Sequence, residues 1–411
     1  MIFRRYKNKK VANTPTFQTW VRFRGNKIAM SGFIIIIIAS IVAILGYLIT
    51  PDPTPFSNDM ILQISTKPPG FRITMLKIRR NKHFTSQFFL KTMLFGRENT
   101  YNMVPINSYS FEGNNIIVSE YTGGTDLNSQ LRFPLTEVVY TKSVTKPHST
   151  IKGDSVCFYD LDEKCQTVSI KDLQNVITNN QIVQKFYLLG TDKFGRDILS
   201  RLIIGVRVSL SVGFIAVLIS LVIGITLGAI AGYYRGKVDD VVMWFINVIW
   251  SIPTLLLVFA ITLALGKGFW QIFVAVGLTM WVEVARIIRG QFLSIREIEF
   301  VEAAKALGFS NLRIIARHIL PNVLGPVIVI AAANFAAAII VEAGLSFLGI
   351  GVQPPIPSWG TMIKEHYGYI IANDPFLAIV PGIAIMFMVL AFYLVGNGMR
   401  DALDVKTQID Y

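Results

Sequence analysis

Charged residues are scarce in this chain of 411 residues, at 16% of the sequence against roughly 25% in ordinary soluble domains. So few charges cannot cover the surface of a soluble protein of this length. Cysteine is also scarce, and two cysteines exclude a small protein built on a disulfide framework. The 52% of hydrophobic residues excludes a disordered chain. We therefore interpret the sequence as that of an integral membrane protein.

Motifs of catalysis and metal binding are missing as well. The four histidines (His83, His148, His318 and His366) do not have metal-site spacing, and there is no His-Glu-x-x-His pattern. No Gly-x-Ser-x-Gly nucleophile turn is present, and no Gly-x-x-x-x-Gly-Lys-Ser/Thr loop is available to hold ATP phosphates. We expect a non-catalytic chain with no metal site and no cofactor of its own, which does not hydrolyse ATP alone.

Positive charge is concentrated at the N-terminus. The net charge is +13, and residues 1–27 contain eight Lys/Arg and no acid. Nucleic-acid-binding proteins can be this basic but are rarely this apolar, so we expect no nucleic-acid partner. Because Lys and Arg mark the cytosolic ends of membrane spans, residues 1–27 are predicted to be a cytosolic tail. The apolar segment 28–50 is too long for a secretory signal peptide and lacks its cleavage site, so it is predicted to be a first transmembrane helix.

Five further apolar segments after residue 200 are long enough to cross a bilayer. They are residues 205–232, 241–265, 269–288, 319–345 and 376–399. The loops that follow the second and fourth spans are rich in Lys and Arg, whereas those that follow the third and fifth spans are not. This alternation predicts an all-α polytopic protein with six transmembrane helices, both termini in the cytosol and a short cytosolic tail at 400–411.

Residues 51–190 form a polar segment between the first and second spans and are predicted to lie outside the cytosol. Short β-branched or alternating runs punctuated by Asn, Gly and Pro indicate an inserted β-rich domain. The predicted strands are residues 60–65, 71–78, 115–119, 137–141, 155–159 and 166–170. Cys157 and Cys165 flank a predicted hairpin turn. An oxidising compartment would permit a disulfide there, with two buried free thiols as the alternative.

The cytosolic loop 289–318 and the residues just after it are the most informative part of the chain. Good helix formers precede a break at Gly308, a second short helix follows, and Leu-Pro at Pro321 precedes the next span. Two short helices joined by a glycine turn would make a compact knob for a groove on a partner protein. Ala303, Ala304 and Leu307 are expected on its apolar face, and Arg313 adds charge. The alternative is a plain connector between two spans.

The Glu-Ala-Ala, Gly and Leu-Pro spacing of this loop resembles the EAA loop of ATP-binding-cassette (ABC) importer permeases. In that family the loop docks on an ATP-binding subunit. The resemblance assigns that coupling role to six residues here: Glu302, Ala303, Ala304, Leu307, Gly308 and Arg313. His318 replaces a frequent isoleucine, but the sequence Arg-His-Ile-Leu-Pro-Asn is usual for the branch that imports peptides.

Other segments are similar to the C-type permeases of dipeptide, oligopeptide and nickel importers. The matching positions include Gly190, Asp192, Gly195, Arg196, Asp197, Pro253 and Pro321. The resemblance implies a permease bundle with a five-helix core over 205–399. It further implies an outer amphipathic segment over 191–204, which we expect to be a helix with Thr191 or Asp192 as its N-cap. Trp244 and Asn247 stand where relatives usually have arginine and aspartate. The resemblance therefore does not imply for this chain the ion pair that many relatives could form near the third span.

The resemblance implies that the chain forms half of a translocation path in the bacterial cytoplasmic membrane. The path would carry di- or oligopeptides or a related small solute. The resemblance also implies a homologous B-type permease, two ATP-binding subunits that use ATP and Mg, and an extracytoplasmic substrate-binding protein as partners. Glu342, an acid within an apolar run, is a candidate gate residue, with local pairing at a helix end as the alternative. A different class of function also fits: a membrane-anchored extracytoplasmic binding or assembly protein that uses the bundle as a scaffold.

Overall fold

The computed structural model describes residues 15–82, 88–123, 129–143, 145, 149–266, 268–371 and 374–404. Most cations of the predicted basic tail, His83, His148 and the end of the predicted C-terminal tail lie outside the described residues. The chain divides into two compact units. The helical unit comprises Met1–Ala43, Gly205–Tyr367 and Ala378–Tyr411, and the insert unit comprises Ile44–Ile204 and Gly368–Leu377.

The helices of the described residues follow one another along most of the chain. In chain order they are α1 (Pro15–Gly25), α2 (Lys27–Ile49), α3 (Phe89–Phe95), α4 (Leu135–Val139), α5 (Ile170–Val176), α6 (Ile198–Tyr234), α7 (Gly236–Trp250), α8 (Thr254–Leu265), α9 (Phe269–Ile295), α10 (Glu299–Ala306), α11 (Asn311–Phe347), α12 (Trp359–His366) and α13 (Phe376–Leu403). One turn of α11, Ile314–Ile319, is π-helical.

Five of these helices (α2, α6, α9, α11 and α13) are long and apolar enough to cross a membrane. A sixth span is present if α7 and α8, which meet at an angle of 92°, are counted together. The predicted multi-pass helical architecture is therefore confirmed at the level of five or six spans. The segment predicted as a span over 241–265 is broken into α7 and α8, because Pro253 lacks the N–H that a helix needs and its ring disfavours helical geometry in the preceding residue.

Small residues let α6 and α9 pack closely. Gly224, Gly228 and Gly232 lie one turn apart on α6, and a Cβ at any of them would come within 2.5–2.6 Å of an atom of α9. Real Cβ atoms do not approach other atoms this closely, so only glycine fits at these contacts. The Gly-x-x-x-Gly spacing thus serves close helix packing, as it does in other membrane proteins.

The insert unit contains two small antiparallel sheets. Its strands are β1 (Phe71–Arg79), β2 (Tyr101–Glu112), β3 (Asn115–Glu120), β4 (Gln130–Pro134), β5 (Thr150–Lys152), β6 (Ser155–Tyr159), β7 (Cys165–Ser169) and β8 (Ile182–Tyr187). One sheet has the order β4-β3-β2-β1-β8 and the other β5-β6-β7. The core of the larger sheet includes Leu76, Ile106, Ile116 and Val118, packed with Leu135 of α4.

The prediction of β-structure in the insert is correct for four of the six predicted segments and wrong for two. Residues 60–65 contain a short 3₁₀ turn, Leu62–Ile64, and residues 137–141 overlap helix α4. In α4, Leu135, Val138 and Val139 are all buried. That spacing of three and four residues is helical, and it outweighs the β-propensity of the valines.

The cysteine pair lies on the two neighbouring strands β6 and β7. Cys157 is opposite Thr167 and Cys165 is opposite Tyr159, so the two cysteines are diagonal neighbours. Their sulfur atoms are bonded, with the Cα atoms 6.5 Å apart, within the usual range for a disulfide. The hairpin that the sequence predicts therefore brings the two thiols together.

Candidate functional site

The end of α10 is fixed by a glycine turn. The N–H of Gly308 donates to the carbonyl of Lys305 at 2.9 Å, and the N–H of Phe309 donates to the carbonyl of Ala304 at 3.1 Å. Gly308 has φ +72°, which favours glycine. This pair of bonds is the Schellman arrangement that ends many helices. Residues 299–313, which we call the knob, thus have a defined rather than a floppy turn.

One face of α10 is buried in the helical unit. Val301 and Ala304 are buried together with Ile314 and Ile319 of α11, and Phe309 packs against the same cluster. The expectation that Ala304 belongs to an exposed apolar face is therefore wrong. Ala304 is 4% exposed, because it lies one turn after Val301 on the inward side of the helix.

A neighbouring face of the knob exposes apolar side chains. Phe300, Ala303 and Leu307 occur at i, i+3 and i+7, and so they share a face. Leu307 is 73% exposed and Leu312 is 75% exposed. Glu302, Gly308 and Arg313 are also exposed. The sequence prediction missed Phe300 and Leu312, although the helical spacing of Phe300 from Leu307 could have identified the former.

Tyr233, at the end of α6, attaches the knob to the bundle. Its hydroxyl hydrogen-bonds the Asn311 side chain at 2.8 Å, and its backbone carbonyl accepts a hydrogen bond from the guanidinium of Arg296. The Lys305 ammonium lies 5.9 Å from the centre of the Tyr233 ring. Tyr233 thus contacts residues from before, within and after α10. The sequence analysis gave this tyrosine no role.

Arginine side chains complete the surroundings of the knob. The Arg313 guanidinium lies 4.7 Å from the centre of the Phe309 ring, and that ring stacks on His318.

Arg289 of α9 forms two hydrogen bonds of 2.5 and 2.6 Å with the Asp239 carboxylate of α7. An ion pair near the third span is therefore present, formed by residues other than Trp244 and Asn247.

Residues 190–201 make a second compact structure, within the insert unit. Gly190 and Gly195 have φ +78° and +71°. A side chain at Gly190 would collide with the carbonyl of Lys67, and one at Gly195 with the carbonyl of Ile61. Both glycines are therefore required by backbone conformation and by close approach.

Asp192 organises this segment. Its carboxylate accepts hydrogen bonds from the backbone N–H groups of Phe194 and Arg196 and from the Arg196 guanidinium at 2.6 Å. The Arg201 guanidinium lies 3.8 Å from the same carboxylate. All three charged side chains are almost fully buried, which requires that they pair with one another.

Asp197 caps the start of α6. Its carboxylate accepts hydrogen bonds from the backbone N–H and the hydroxyl of Ser200, the bonding expected of an N-cap. The predicted N-cap, Thr191 or Asp192, is wrong, and so is the separate amphipathic helix over 191–204. Thr191 instead forms a bridge with Asp197, and the helix begins at Ile198. Burial raises the pKa of Asp197, and the hydrogen bonds from Ser200 oppose that rise.

Comparison with protein families gives two matches along this chain. A model described as binding-protein-dependent transport system inner membrane component matches residues 224–409, which include the knob. A second, described as the N-terminal TM domain of oligopeptide transport permease C, matches residues 14–69. Residues 70–223, which contain both sheets of the insert, lie outside these two matches.

Similar curated proteins are peptide-transport permeases. The dipeptide transport system permease protein DppC of Alkalihalophilus pseudofirmus is 44% identical over 217 residues, which are 53% of this chain and 71% of that protein. The oligopeptide transport system permease protein OppC of Haemophilus influenzae is 40% identical over 56% of this chain and 74% of that protein. The glutathione transport system permease protein GsiD of Pectobacterium atrosepticum is 41% identical over 53% and 72%.

This chain belongs to the DppC/OppC-like family of ABC importer permeases. It is a multi-pass inner-membrane protein and a transporter subunit. Among solved structures, the inward-facing MetNI methionine ABC transporter aligns with 50% of this chain and 96% of that chain, at 20% identity and a TM-score of 0.42.

Glu342 of the permease lies within the apolar part of α11 and is fully buried. One carboxylate oxygen accepts a hydrogen bond of 2.7 Å from the Ser346 hydroxyl one turn later. The other oxygen has no hydrogen-bond partner among the described residues. Ser346 in turn lies 3.4 Å from the hydroxyl of Ser358, which caps α12. Glu342 is therefore buried and paired locally with Ser346, five residues before the end of α11. Its role as a gate stays a prediction.

The two motif prolines of the permease mark breaks in helical regularity. Pro253 is the N-cap of α8 at the sharp bend after α7. Pro321 is the second residue after the π-helical turn of α11, and the Asn322 side chain donates to the carbonyl of His318 at 2.6 Å. The expected stop at Leu320-Pro321 is wrong, since the helix continues through Pro321 with an altered hydrogen-bond pattern.

Proposed function

We propose that this permease forms one half of the path by which di- or oligopeptides, or a related small solute, are imported at the expense of ATP. The observation that carries the proposal is the knob, which has an exposed apolar face and is held to the bundle by its buried side and by the hydrogen bond of Tyr233 to Asn311. The similar proteins support the substrate class, because dipeptides, oligopeptides and glutathione are all small peptides.

The knob has the form expected of a helix that docks in a groove. Phe300, Ala303 and Leu307 supply apolar anchors on one face of α10, and Leu312 adds another at the start of α11. Grooves on partner proteins take helices through such anchors. Glu302, Lys305 and Arg313 surround the anchors with charge. We assign the groove to a separate ATP-binding subunit, which hydrolyses ATP with Mg.

Rigidity of the knob matters because ATP can drive transport only by favouring one state of the bundle over the other. Moving a two-state equilibrium from 1:99 to 99:1 takes about 5.5 kcal/mol of differential binding. A flexible connector would absorb a displacement of the ATP-binding subunit. The Gly308 turn and the hydrogen bond from Tyr233 to Asn311 resist that deformation.

The distribution of Lys and Arg supports a cytosolic knob. The loop 289–318 and the N-terminal tail 1–27 are both rich in these residues, and such segments stay in the cytosol. In this orientation both termini are cytosolic, and residues 51–190 lie outside the cytosol, where the pair Cys157–Cys165 can be oxidised. A homologous B-type permease, a second ATP-binding subunit and an extracytoplasmic substrate-binding protein complete the proposed importer.

Reconstitution tests this function. The full-length permease is co-expressed with the candidate B-type permease and ATP-binding subunits, purified as a complex and placed in liposomes with the cognate binding protein. We expect ATP-dependent uptake of a labelled di- or oligopeptide. Uptake without ATP, or ATP hydrolysis that never drives uptake of any peptide tested, would contradict the proposal.

One charge reversal separates this function from the scaffold alternative. Glu302→Lys on the knob should uncouple ATP hydrolysis from uptake, whereas Asp154→Lys, the same change at an exposed position of the insert, should not. A membrane-anchored binding or assembly protein would tolerate Glu302→Lys, because a scaffold does not use the knob.

A further inference from the structure

An exposed apolar helix is an unusual feature of the insert unit. Helix α3, Phe89–Phe95, has the sequence Phe-Leu-Lys-Thr-Met-Leu-Phe. The side chains of Phe88, Phe89, Leu90 and Phe95 are between 51% and 72% exposed. Apolar side chains exposed singly are normal on protein surfaces, but consecutive aromatic and aliphatic residues mark a contact surface.

The C-terminal end of α3 is fixed beside the end of the first span. The N–H of Arg97 donates to the carbonyl of Pro53 at 2.9 Å, and Pro53 lies only four residues after the end of α2. Gly96, with φ +76°, approaches so closely that a Cβ there would lie 2.7 Å from the Pro53 carbonyl and 3.1 Å from the ring of Tyr47. Tyr47 belongs to the last turn of α2 and accepts a hydrogen bond from the N–H of Phe56 at 3.0 Å.

This attachment fixes the depth of α3 relative to a bilayer. The first span ends at Ile49, so Pro53 is at the level of the lipid headgroups. A short helix held at that level, with Phe and Leu side chains exposed, has the composition of a segment that lies in the membrane interface. Phe and Leu are side chains that interfacial helices bury at this depth, and the exposed Lys91 and Arg97 can face the headgroups while their stems remain near the apolar layer.

We propose that α3 is an interfacial helix whose exposed Phe and Leu side chains insert into the outer boundary of the acyl chains beside the first span. The helix thereby holds the base of the insert against the membrane. Continuity with the first span favours lipid over a protein as the occupant of this surface, because the hydrogen bond from Arg97 to Pro53 keeps the helix at the bilayer surface. The inference depends on the membrane spans and not on the solute transported or on the knob.

Site-directed fluorescence tests the proposal on the full-length permease in lipid nanodiscs. Leu90→Cys is labelled with an environment-sensitive fluorophore, and Ile151→Cys, an equally exposed apolar position on β5, is the matched control. The parental chain reports background labelling. Nanodiscs are prepared with and without lipids that carry a quencher near the top of the acyl chain, and aqueous iodide is the second quencher.

We expect the label at position 90 to be quenched at least about threefold more by the lipid-borne quencher than the label at position 151, and to be shielded from iodide. Adding Phe95→Glu should reduce the lipid quenching, because a carboxylate resists insertion. Free access of iodide to position 90 would overturn the proposal. Shielding from iodide without lipid quenching would also overturn it and would indicate that protein covers α3.

Discussion

Removing the exposed leucines of the knob should weaken docking of the ATP-binding subunit without unfolding the permease. Leu307 and Leu312 are each about three-quarters exposed, so a groove on the partner would bury most of both side chains. Neither residue belongs to the buried cluster beneath α10. Substitutions of exposed residues of this kind usually change stability by less than about 0.5 kcal/mol.

The size of the effect follows from the area available for burial. Full burial of a leucine side chain contributes about 1.5–3 kcal/mol, and three-quarters of that amount is about 1–2 kcal/mol per residue. The double variant Leu307→Ala/Leu312→Ala should therefore lose roughly 2–4 kcal/mol of docking free energy. At 1.4 kcal/mol per tenfold, the ATP-binding subunit should bind about 30-fold to 1,000-fold more weakly.

Titration of labelled ATP-binding subunit onto the permease in nanodiscs measures this loss, and thermal unfolding of the variant checks that the bundle is intact. Leu188→Ala, which removes a half-exposed leucine from the insert unit, is the matched control and should bind normally. Affinity within about threefold of the parental value in the double variant, with normal unfolding, would refute the docking role of this face.

Four other predictions concern single positions. Gly308→Ala should cost about 1–2 kcal/mol of stability, because alanine must adopt φ +72° although its methyl group meets no atom. Gly308→Pro should uncouple ATP hydrolysis from uptake, and the ratio of the two rates measures this coupling. Asp192→Asn should destabilise the insert by roughly 3–5 kcal/mol, since it removes the carboxylate that two buried arginines face, and thermal unfolding would show this. The pKa of Asp59 is raised from 3.8 by burial and then by the charge of Asp52. Because the folded state therefore holds the proton of Asp59 more tightly than the unfolded state does, Asp59 contributes to the free energy of unfolding in full below its unfolded-state pKa. That contribution is lost as the pH rises through the folded-state pKa. Asp59→Asn, but not the exposed Asp154→Asn, should remove this pH dependence from the free energy of unfolding. Glu342→Gln should lower uptake while leaving docking intact; unchanged uptake would show that the residue is only locally paired.

Local signals in the sequence were strong enough to predict the spans and the glycine turn. Runs of some twenty apolar residues have few other uses in a protein, and Gly308 between two helix-forming segments is the ordinary signature of a helix end. The Gly-x-x-x-Gly spacing of α6 is likewise a local pattern, and it is typical of helices that pack closely. The family resemblance of 289–318 was confirmed by the similarity to known permeases.

Burial could not be predicted where it depends on partners distant in sequence. Ala304 was expected on the docking face and lies instead against Ile314 and Ile319. Glu137 was expected in a strand, but the burial of its neighbours Leu135 and Val138 makes that segment a helix. The break at Pro253 was visible in the sequence as a proline, but its angle of 92° was not.

The sequence by itself determined that this is a basic, multi-pass membrane protein with a polar insert, because composition and local periodicity report directly on the solvent that each segment meets. The permease-type loop was identified by its resemblance to the EAA loop of ABC importer permeases. Only the tertiary structure decided which face of the knob is exposed, which residue caps α6, and which residues near the end of the first span contact the end of α3. Those features depend on contacts between residues far apart in the chain, such as Arg97 with Pro53 and Tyr233 with Asn311. No local pattern specifies such contacts.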